Sequence, residues 1–325
     1  MWDELALVAA ASFALGSMAY VYTLRGNVQY DTLRQYLRKG WPIFAPINCL
    51  LYLASRPRAR GAILDPDRYP ELDALRDNWE VIRDEAVALH RARHLEATCQ
   101  PDSNAYYDIG FRTFYKYGWR KFYLNWYGTT QPSALEHCPR TVALLEGMRS
   151  VNGAMFSMLP SGGQLTRHSD PAACSLRYHL GLATPNDDGC FINIDGHDRS
   201  WRDGEVLIFD ETYLHYARND CGGDRLILMC DIDRPVSFVG WPINAFYKWL
   251  MRQTLVPNMA GDRRGLANRI FAGIAPQLKR SKQLKASNYR AYLALKYSVN
   301  TLLLLLAAAL AWGAIKLVLA FTGLG

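Results

Sequence analysis

The stretch Ser175-Leu176-Arg177-Tyr178-His179-Leu180-Gly181-Leu182 decides the fold class, because the sequence on either side repeats its kind. Phe122–Trp126, Ala154–Leu159, Cys190–Ile194, Val206–Phe209 and Leu226–Ile232 are equally short and rich in aromatic and branched residues. Asp188-Gly189, Asp203-Gly204 and Gly222-Gly223 punctuate them as turns. Many short strands separated by Gly/Asp turns predict a β-sandwich or a small barrel. This pattern sets in at Thr113. Upstream, Glu71 to Arg93 carries Leu72, Leu75, Trp79, Ile82, Ala86 and Leu89 at helical spacing, which predicts one amphipathic helix. Thr141–Met148 is expected as a short helix before the barrel. No internal repeat and no Gly-rich strand–helix junction for a nucleotide is present.

Outward from the strands, both ends of the 325-residue chain are apolar. Leu5 to Leu24 is uncharged and long enough to cross a bilayer as a helix. Asp3 and Glu4 stand where a cleaved signal would want basic residues, so a retained anchor is expected. Tyr297 to Ile315 is a second uncharged run, with Lys316 placed to snorkel. Arg25, Arg34, Arg38 and Lys39 follow the first run, and Lys279, Arg280, Lys282, Lys285, Arg290 and Lys296 precede the second. Both basic flanks put the middle of the chain in the cytoplasm. Trp41 to Ala54, broken by Pro42 and Pro46, is too short to span and reads as interfacial or re-entrant. Trp241–Ile274 mixes Trp241, Phe246 and Trp249 with Lys248, Arg252 and Arg263, as on a helix lying on an anionic membrane surface. The net charge of +7 fits that surface. Basic residues between two membrane anchors argue against nucleic acid as the partner. The seven cysteines show no C-x-x-C spacing and read as free thiols. The expected segments are an anchor at 1–24, interfacial and amphipathic helices at 25–106, the β domain at 107–235, basic surface helices at 236–296 and an anchor at 297–322.

The chemistry gathers in the β region. His168-Ser169-Asp170 is an H-x-D triplet, and residues two apart on an extended strand share a face. His215 follows the Val206–Phe209 strand. Two His and one carboxylate can hold one face of a metal octahedron and leave three positions open, the pattern of non-haem Fe(II) oxygenases. Arg225 opens the Leu226–Ile232 strand, and a buried guanidinium there suits a carboxylate of an oxo-acid co-substrate. Ser157 offers a hydroxyl beside it, and Arg177 and His179, again two apart, can meet the carboxylate that chelates the metal. The candidate metal ligands are therefore His168, Asp170 and His215, and the candidate co-substrate residues are Ser157, Arg177, His179 and Arg225. His90, His94, His137 and His197 lack such partners. A zinc hydrolase could use the same ligands, but no H-E-x-x-H motif supports it.

Phe156-Ser157 through His168, then 175–182, Gly204–Asp210 and His215 to Arg225, together with Gly118-Trp119 and Cys138-Pro139-Arg140-Thr141, resemble the aspartyl/asparaginyl β-hydroxylase family over roughly Tyr107 to Pro235. With its two terminal anchors and His168-Ser169-Asp170-Pro171, the chain looks most like the bacterial lipid A 2-hydroxylases within that family. The resemblance implies a double-stranded β-helix (jelly roll, cupin-like) with flanking helices, Fe(II), and 2-oxoglutarate and O2 as co-substrates. It implies hydroxylation at C2 of a secondary acyl chain of lipid A, or of an ornithine-lipid acyl chain in a sister group, on the cytoplasmic face of a bacterial inner membrane. The protein-modifying branch typically lacks the carboxylate ligand that Asp170 supplies here. A membrane-anchored protein Asp/Asn hydroxylase and a scaffold that senses iron or 2-oxoglutarate are the competing readings.

Overall fold

The computed structural model describes residues 2–101, 103–111 and 118–322. The helices are α1 (Trp2–Thr23), α2 (Leu33–Lys39), α3 (Ala45–Ala54), α4 (Asp73–Asp77), α5 (Trp79–Arg91), α6 (Pro132–His137), α7 (Pro139–Glu146), α8 (Trp241–Arg252), α9 (Leu266–Ser287) and α10 (Tyr289–Thr322). The strands are β1 (Ile63–Leu64), β2 (Arg120–Trp126), β3 (Thr129–Thr130), β4 (Val151–Leu159), β5 (Gln164–His168), β6 (Ser175–Ala183), β7 (Cys190–Ile194), β8 (His197–Ser200), β9 (Val206–Phe209), β10 (His215–Asn219) and β11 (Arg225–Asp233). Residues 1–269 form one compact unit, which contains the β domain together with the helical segments on both sides of it in sequence. A second unit, residues 270–325, consists of the rest of α9 and of α10.

The strands pair into two antiparallel sheets, β1-β9-β6-β11-β4-β2-β3 and β5-β10-β7-β8. From β4 onward, successive strands or pairs of strands alternate between the sheets, so the chain winds as a double-stranded β-helix. Period-two alternation sorts the residues of the large sheet. Leu226, Leu228, Cys230 and Ile232 of β11, with Phe156 and Met158 of β4 and Leu176, Tyr178 and Leu180 of β6, join Ile82, Ala86 and Leu89 of α5 in one core. The opposite face, with Met155, Leu159, Ile227 and Met229, packs between the sheets against Ile192, Ile194 and Ala217. The inward set also carries the polar residues of the same strands, among them Ser157, Arg177, His179, Arg225 and Asp231, all buried. Gly181 lets the chain at residues 202–203 bridge onto β6, since a Cβ there would stand 1.9 Å from the Arg202 carbonyl oxygen. That contact holds Trp201 over the interior.

The helix expected over Glu71–Arg93 is two, α4 and α5. The Asn78 side chain donates to the Ala74 carbonyl (2.8 Å) and competes with the helical ladder at the break. The strand expected to carry His168-Ser169-Asp170 is β5, but it ends at His168 and leaves Asp170 beyond it; β1, β3, β8 and β10 were not expected, being short, and β8 and β10 turn charged or polar residues to solvent. The onset of strand pattern at Thr113 falls outside the described residues. Trp41–Ala54 is a 3-10 turn followed by α3, whose Ala45, Asn48, Cys49 and Leu51 are buried while Ile43, Leu50 and Leu53 stay exposed. All seven cysteines are free.

Candidate metal centre

The small sheet positions the metal ligands. His168 is the last residue of β5 and His215 the first of β10, and the two are direct cross-strand partners. Their rings lie 4.3 Å apart between centroids. Asp170 lies past the strand end, where its backbone N–H donates to the Glu211 carbonyl (2.9 Å) and turns the carboxylate back toward both rings. Ligand atoms of His168, Asp170 and His215 all lie within 4.8 Å of one another, and no other such cluster exists among the described residues.

The tautomers are set by the backbone. Nδ1 of His168 lies 2.8 Å from the Thr166 carbonyl oxygen, and Nδ1 of His215 lies 2.9 Å from that of Tyr213. Each Nδ1–H donates, so each Nε2 keeps its lone pair for a ligand role. Nε2 of His168 then faces Oδ1 of Asp170 at 3.4 Å, two acceptors that only a proton or a cation reconciles. Burial, with the neighbouring His168, depresses the His215 pKa to about 4, which favours the neutral, ligating form. Burial opposes ionisation of Asp170, but His168, His215 and Arg177 together hold it below the usual carboxylate range. The donor set fits Fe(II) with open positions.

Deeper in the barrel, Arg225 is fully buried, and no carboxylate among the described residues meets it. Its Nη2 donates to Ser157 Oγ at 3.4 Å, while Nε and Nη1 have no hydrogen-bond partner among the described residues. The guanidinium lies 4.3 Å from the ring centre of Trp201 and 5.0 Å from that of Trp119. Burial alone pulls its pKa down to about 10, so it remains charged. An uncompensated buried cation is costly, and an incoming carboxylate offsets that cost. His179 stands nearby. Its Nδ1 accepts from Trp201 Nε1 (3.2 Å), and its Nε2 is buried without a partner among the described residues. Burial, then Arg225 and Arg177, hold this imidazole neutral. Ser157, His179 and Arg225 thus come together as a polar pocket between aromatic walls, and they fit the carboxylates of 2-oxoglutarate.

Arg177 is otherwise engaged. It pairs with Asp231 (2.5 Å), with Asp170 Oδ2 (3.3 Å) and with Glu211. It sits behind Asp170 as a strut, and three carboxylates occupy its fork. Burial raises the pKa of Glu211 and of Asp231, and Arg177 opposes that rise. Tyr127 Oη donates to Asp231 (3.0 Å) and Ser175 Oγ to Glu211 (3.2 Å). Glu211 and Asp231 were absent from the sequence-based candidates. So were Trp119 and Trp201, although Trp119 stood within the Gly118-Trp119 motif.

A strap also missed by sequence follows α1 and wraps this edge of the small sheet. Arg25 is buried between the rings of Tyr52 and Tyr213 and donates to Asp210 (2.8 Å) and Thr212 (2.7 Å). Backbone N–H groups of Asn27 and Val28 donate to Asp195 (2.7 and 2.9 Å), at the turn that follows the β7 residue paired with His215. Tyr30 Oη lies 2.9 Å from Oγ of Ser169, the residue between the two β5-side ligands.

A two-His, one-carboxylate triad on a double-stranded β-helix, with a buried orphan guanidinium behind it, defines the oxygenase class of metal site. Residues 76–235 match the aspartyl/asparaginyl β-hydroxylase family model. It is similar to the aspartyl/asparaginyl β-hydroxylase of Mus musculus, 32% identical over 174 residues, covering 51% of this chain and 22% of the relative. It is similar also to an ornithine lipid ester-linked acyl 2-hydroxylase of Rhizobium tropici, 33% identical over 130 residues, covering 38% and 46%. The chain thus spans less than half the length of these relatives. A solved Pseudomonas putida prolyl-4-hydroxylase aligns over 49% of this chain and 88% of its own at 17% identity, with a TM-score of 0.33 that adds nothing to the topology itself.

Proposed function

We propose that the protein is an Fe(II)/2-oxoglutarate-dependent dioxygenase that hydroxylates a membrane lipid acyl chain, at C2 of a secondary acyl chain of lipid A. The observation that carries the reaction class is the pairing of the His168–Asp170–His215 triad with the buried Arg225 guanidinium, which meets no carboxylate among the described residues, inside one barrel. In this reading His168, Asp170 and His215 hold the iron. Arg225 and Ser157 take the far carboxylate of 2-oxoglutarate, and His179 faces the carboxylate that chelates the metal. Bound iron, 2-oxoglutarate and O2 supply the oxidising power for an unactivated C–H bond. The protein's part is to keep both imidazoles neutral, to brace Asp170 through Arg177, and to line the pocket with Trp119, Trp201 and Phe209 so that water is excluded.

Support for a lipid comes from the similarity to the acyl 2-hydroxylase and from the surface. Leu5–Thr23 of α1 is long and apolar enough to cross a membrane and is little buried. Ile43, Leu50 and Leu53 around α3, and Trp241, Phe246 and Trp249 of α8, are exposed in the same unit. Such a set suits an interfacial face beside an anchor. The run 297–315 lies within α10 and is read as a second anchor, with the catalytic domain on the cytoplasmic side of a bacterial inner membrane. Asp170 favours the lipid branch over the protein-modifying one; the likeness to the mouse enzyme keeps a protein Asp/Asn substrate as the second reading.

The test is mass spectrometry of lipid A and ornithine lipids from cells expressing the wild type or His168→Ala. A one-oxygen gain on lipid A acyl chains, absent in the variant, is the expected result. The gain on ornithine lipid instead moves the substrate to that lipid. No gain on either, in a host that makes both, rules out the lipid reading and directs the search to hydroxylated Asp or Asn.

A further inference from the structure

A cleft of about 850 Å³ lies away from the metal centre, between the chain that leaves α3, the end of β11 and the first turns of α8. Its charges are mostly spoken for. Arg58 pairs with Glu71 (3.3 Å), Lys248 with Asp233 (2.6 Å), and the buried Arg234 with Asp210 (2.8 Å). Arg56 is different. It is exposed, its Nε donates weakly to the Val236 carbonyl (3.4 Å), and among the described residues no carboxylate meets it. Asn244 of α8 lines the same cleft; it is 8% exposed, and its buried Oδ1 has no hydrogen-bond partner among the described residues. An Asn amide offers an acceptor and, turned over, two donors.

The rim of the cleft is apolar. Trp241, which lines it, is 63% exposed, and Phe238 and Val239 just before it are 72% and 62% exposed. Leu53, 76% exposed, lies on the adjoining end of α3, tied there by the Ser237 N–H donating to the Ala54 carbonyl (2.8 Å). Gly240 permits this junction, since its Cβ position is 3.1 Å from that of Ala54. A guanidinium that meets no carboxylate among the described residues, the Asn244 side chain in the lining, exposed Trp241 at the edge and exposed Phe238, Val239 and Leu53 on the adjoining chain match an amphiphile. A small soluble anion would have no use for the rim.

We propose that this cleft is a head-group subsite that takes the phosphate of an anionic membrane lipid, with Arg56 on the phosphate, Asn244 on a neighbouring hydroxyl or phosphate oxygen, and the acyl chains leaving over Trp241 and Phe238. The proposal rests on the membrane placement given to α1 and α8, and not on the iron chemistry. The cleft holds the lipid at the surface, separately from the pocket at the metal.

Isothermal titration calorimetry of the full chain in neutral detergent tests it, with dihexanoyl phosphatidate, dihexanoyl phosphatidylcholine and inorganic phosphate as probes. Saturable binding of phosphatidate is expected, with phosphatidylcholine weaker. Loss of one charge-assisted contact in Arg56→Gln should weaken phosphatidate about tenfold. Asn244→Ala should weaken it several-fold, and Arg83→Gln on α5, outside the cleft lining, should leave it unchanged. Absence of saturable phosphatidate binding, or equal binding by Arg56→Gln, overturns the proposal. Inorganic phosphate binding as tightly as phosphatidate overturns the lipid assignment and leaves an anion site. His168→Ala is expected to bind phosphatidate like the wild type, so failure of the hydroxylase reading and failure of this one are told apart.

Discussion

At the residue scale, Arg225 is the side chain whose state depends most on what is bound. It is a buried charge without an anion, and replacing such a charge by a hydrophobe of similar length relieves the molecule. Arg225→Met should therefore raise the melting temperature of the co-substrate-free protein by a few degrees, worth about 1–3 kcal/mol. The same variant should lose the stabilisation that 2-oxoglutarate gives the wild type in differential scanning fluorimetry. A melting point that falls, with the 2-oxoglutarate shift intact, would remove Arg225 from the co-substrate site. His215 gives a pH signature. Its folded pKa of about 4 lies below the unfolded value near 6.5, so the stability it contributes is full above about pH 6.5 and lost as pH falls toward 4. Glu211 and Asp231, raised by burial, pull in the opposite direction, so the effect is read as a difference. In metal-free protein, the stability gap between wild type and His215→Asn should change by roughly 3 kcal/mol across that window in urea titrations.

At the scale of elements, the site is a product of register. The period of two along β4, β6 and β11 turned Ser157, Arg177, His179 and Arg225 inward together, and this much was legible: residues two apart in a strand share a face. The partners across strands were not. Asp231 faces Arg177 because β11 pairs with β6 in one particular register, and Glu211 approaches from the loop after β9. No local pattern announces either contact. Arg177 therefore read as a co-substrate residue, whereas its fork is filled by carboxylates. Removing it would leave those carboxylates facing one another. Arg177→Lys should keep the fold and weaken metal binding about tenfold or more, followed with Co(II) spectroscopy, while Arg177→Ala should lose several kcal/mol in chemical denaturation. A lysine variant with wild-type metal affinity would show that the strut does not matter to Asp170. The strap was illegible for a related reason, since a juxtamembrane run with basic residues predicts a surface segment. Tyr30→Phe removes its hydroxyl from Ser169 and from the Lys39 carbonyl (3.1 Å) and should cost about 1 kcal/mol with a measurable loss of metal affinity.

At the scale of the molecule, the apolar runs, the amphipathic stretches and the β region were all visible in the sequence, because burial and periodicity act locally. Their interlocking was not. Residues 25–106 looked like a separate interfacial segment, yet they belong to the same compact unit as the barrel, with Arg25 and Arg234 both on Asp210. A chain beginning at Leu24 should keep this junction, and one beginning at Asn27 should be less stable by about 3 kcal/mol, compared by urea denaturation in detergent. Equal stability of the two would mean that Arg234 alone satisfies Asp210. The same junction has a bearing on which carbon is oxidised. Arg25 is locked two residues after α1 ends, so there is no slack between a helix fit to cross the membrane and the ligand-bearing sheet. With α1 in a bilayer, the metal stands at a set height above it. On the lipid substrate proposed above, the protein would then work as a depth gauge, and spacer residues inserted at Leu24 would shift the hydroxyl along the acyl chain or abolish turnover, leaving the pocket itself untouched.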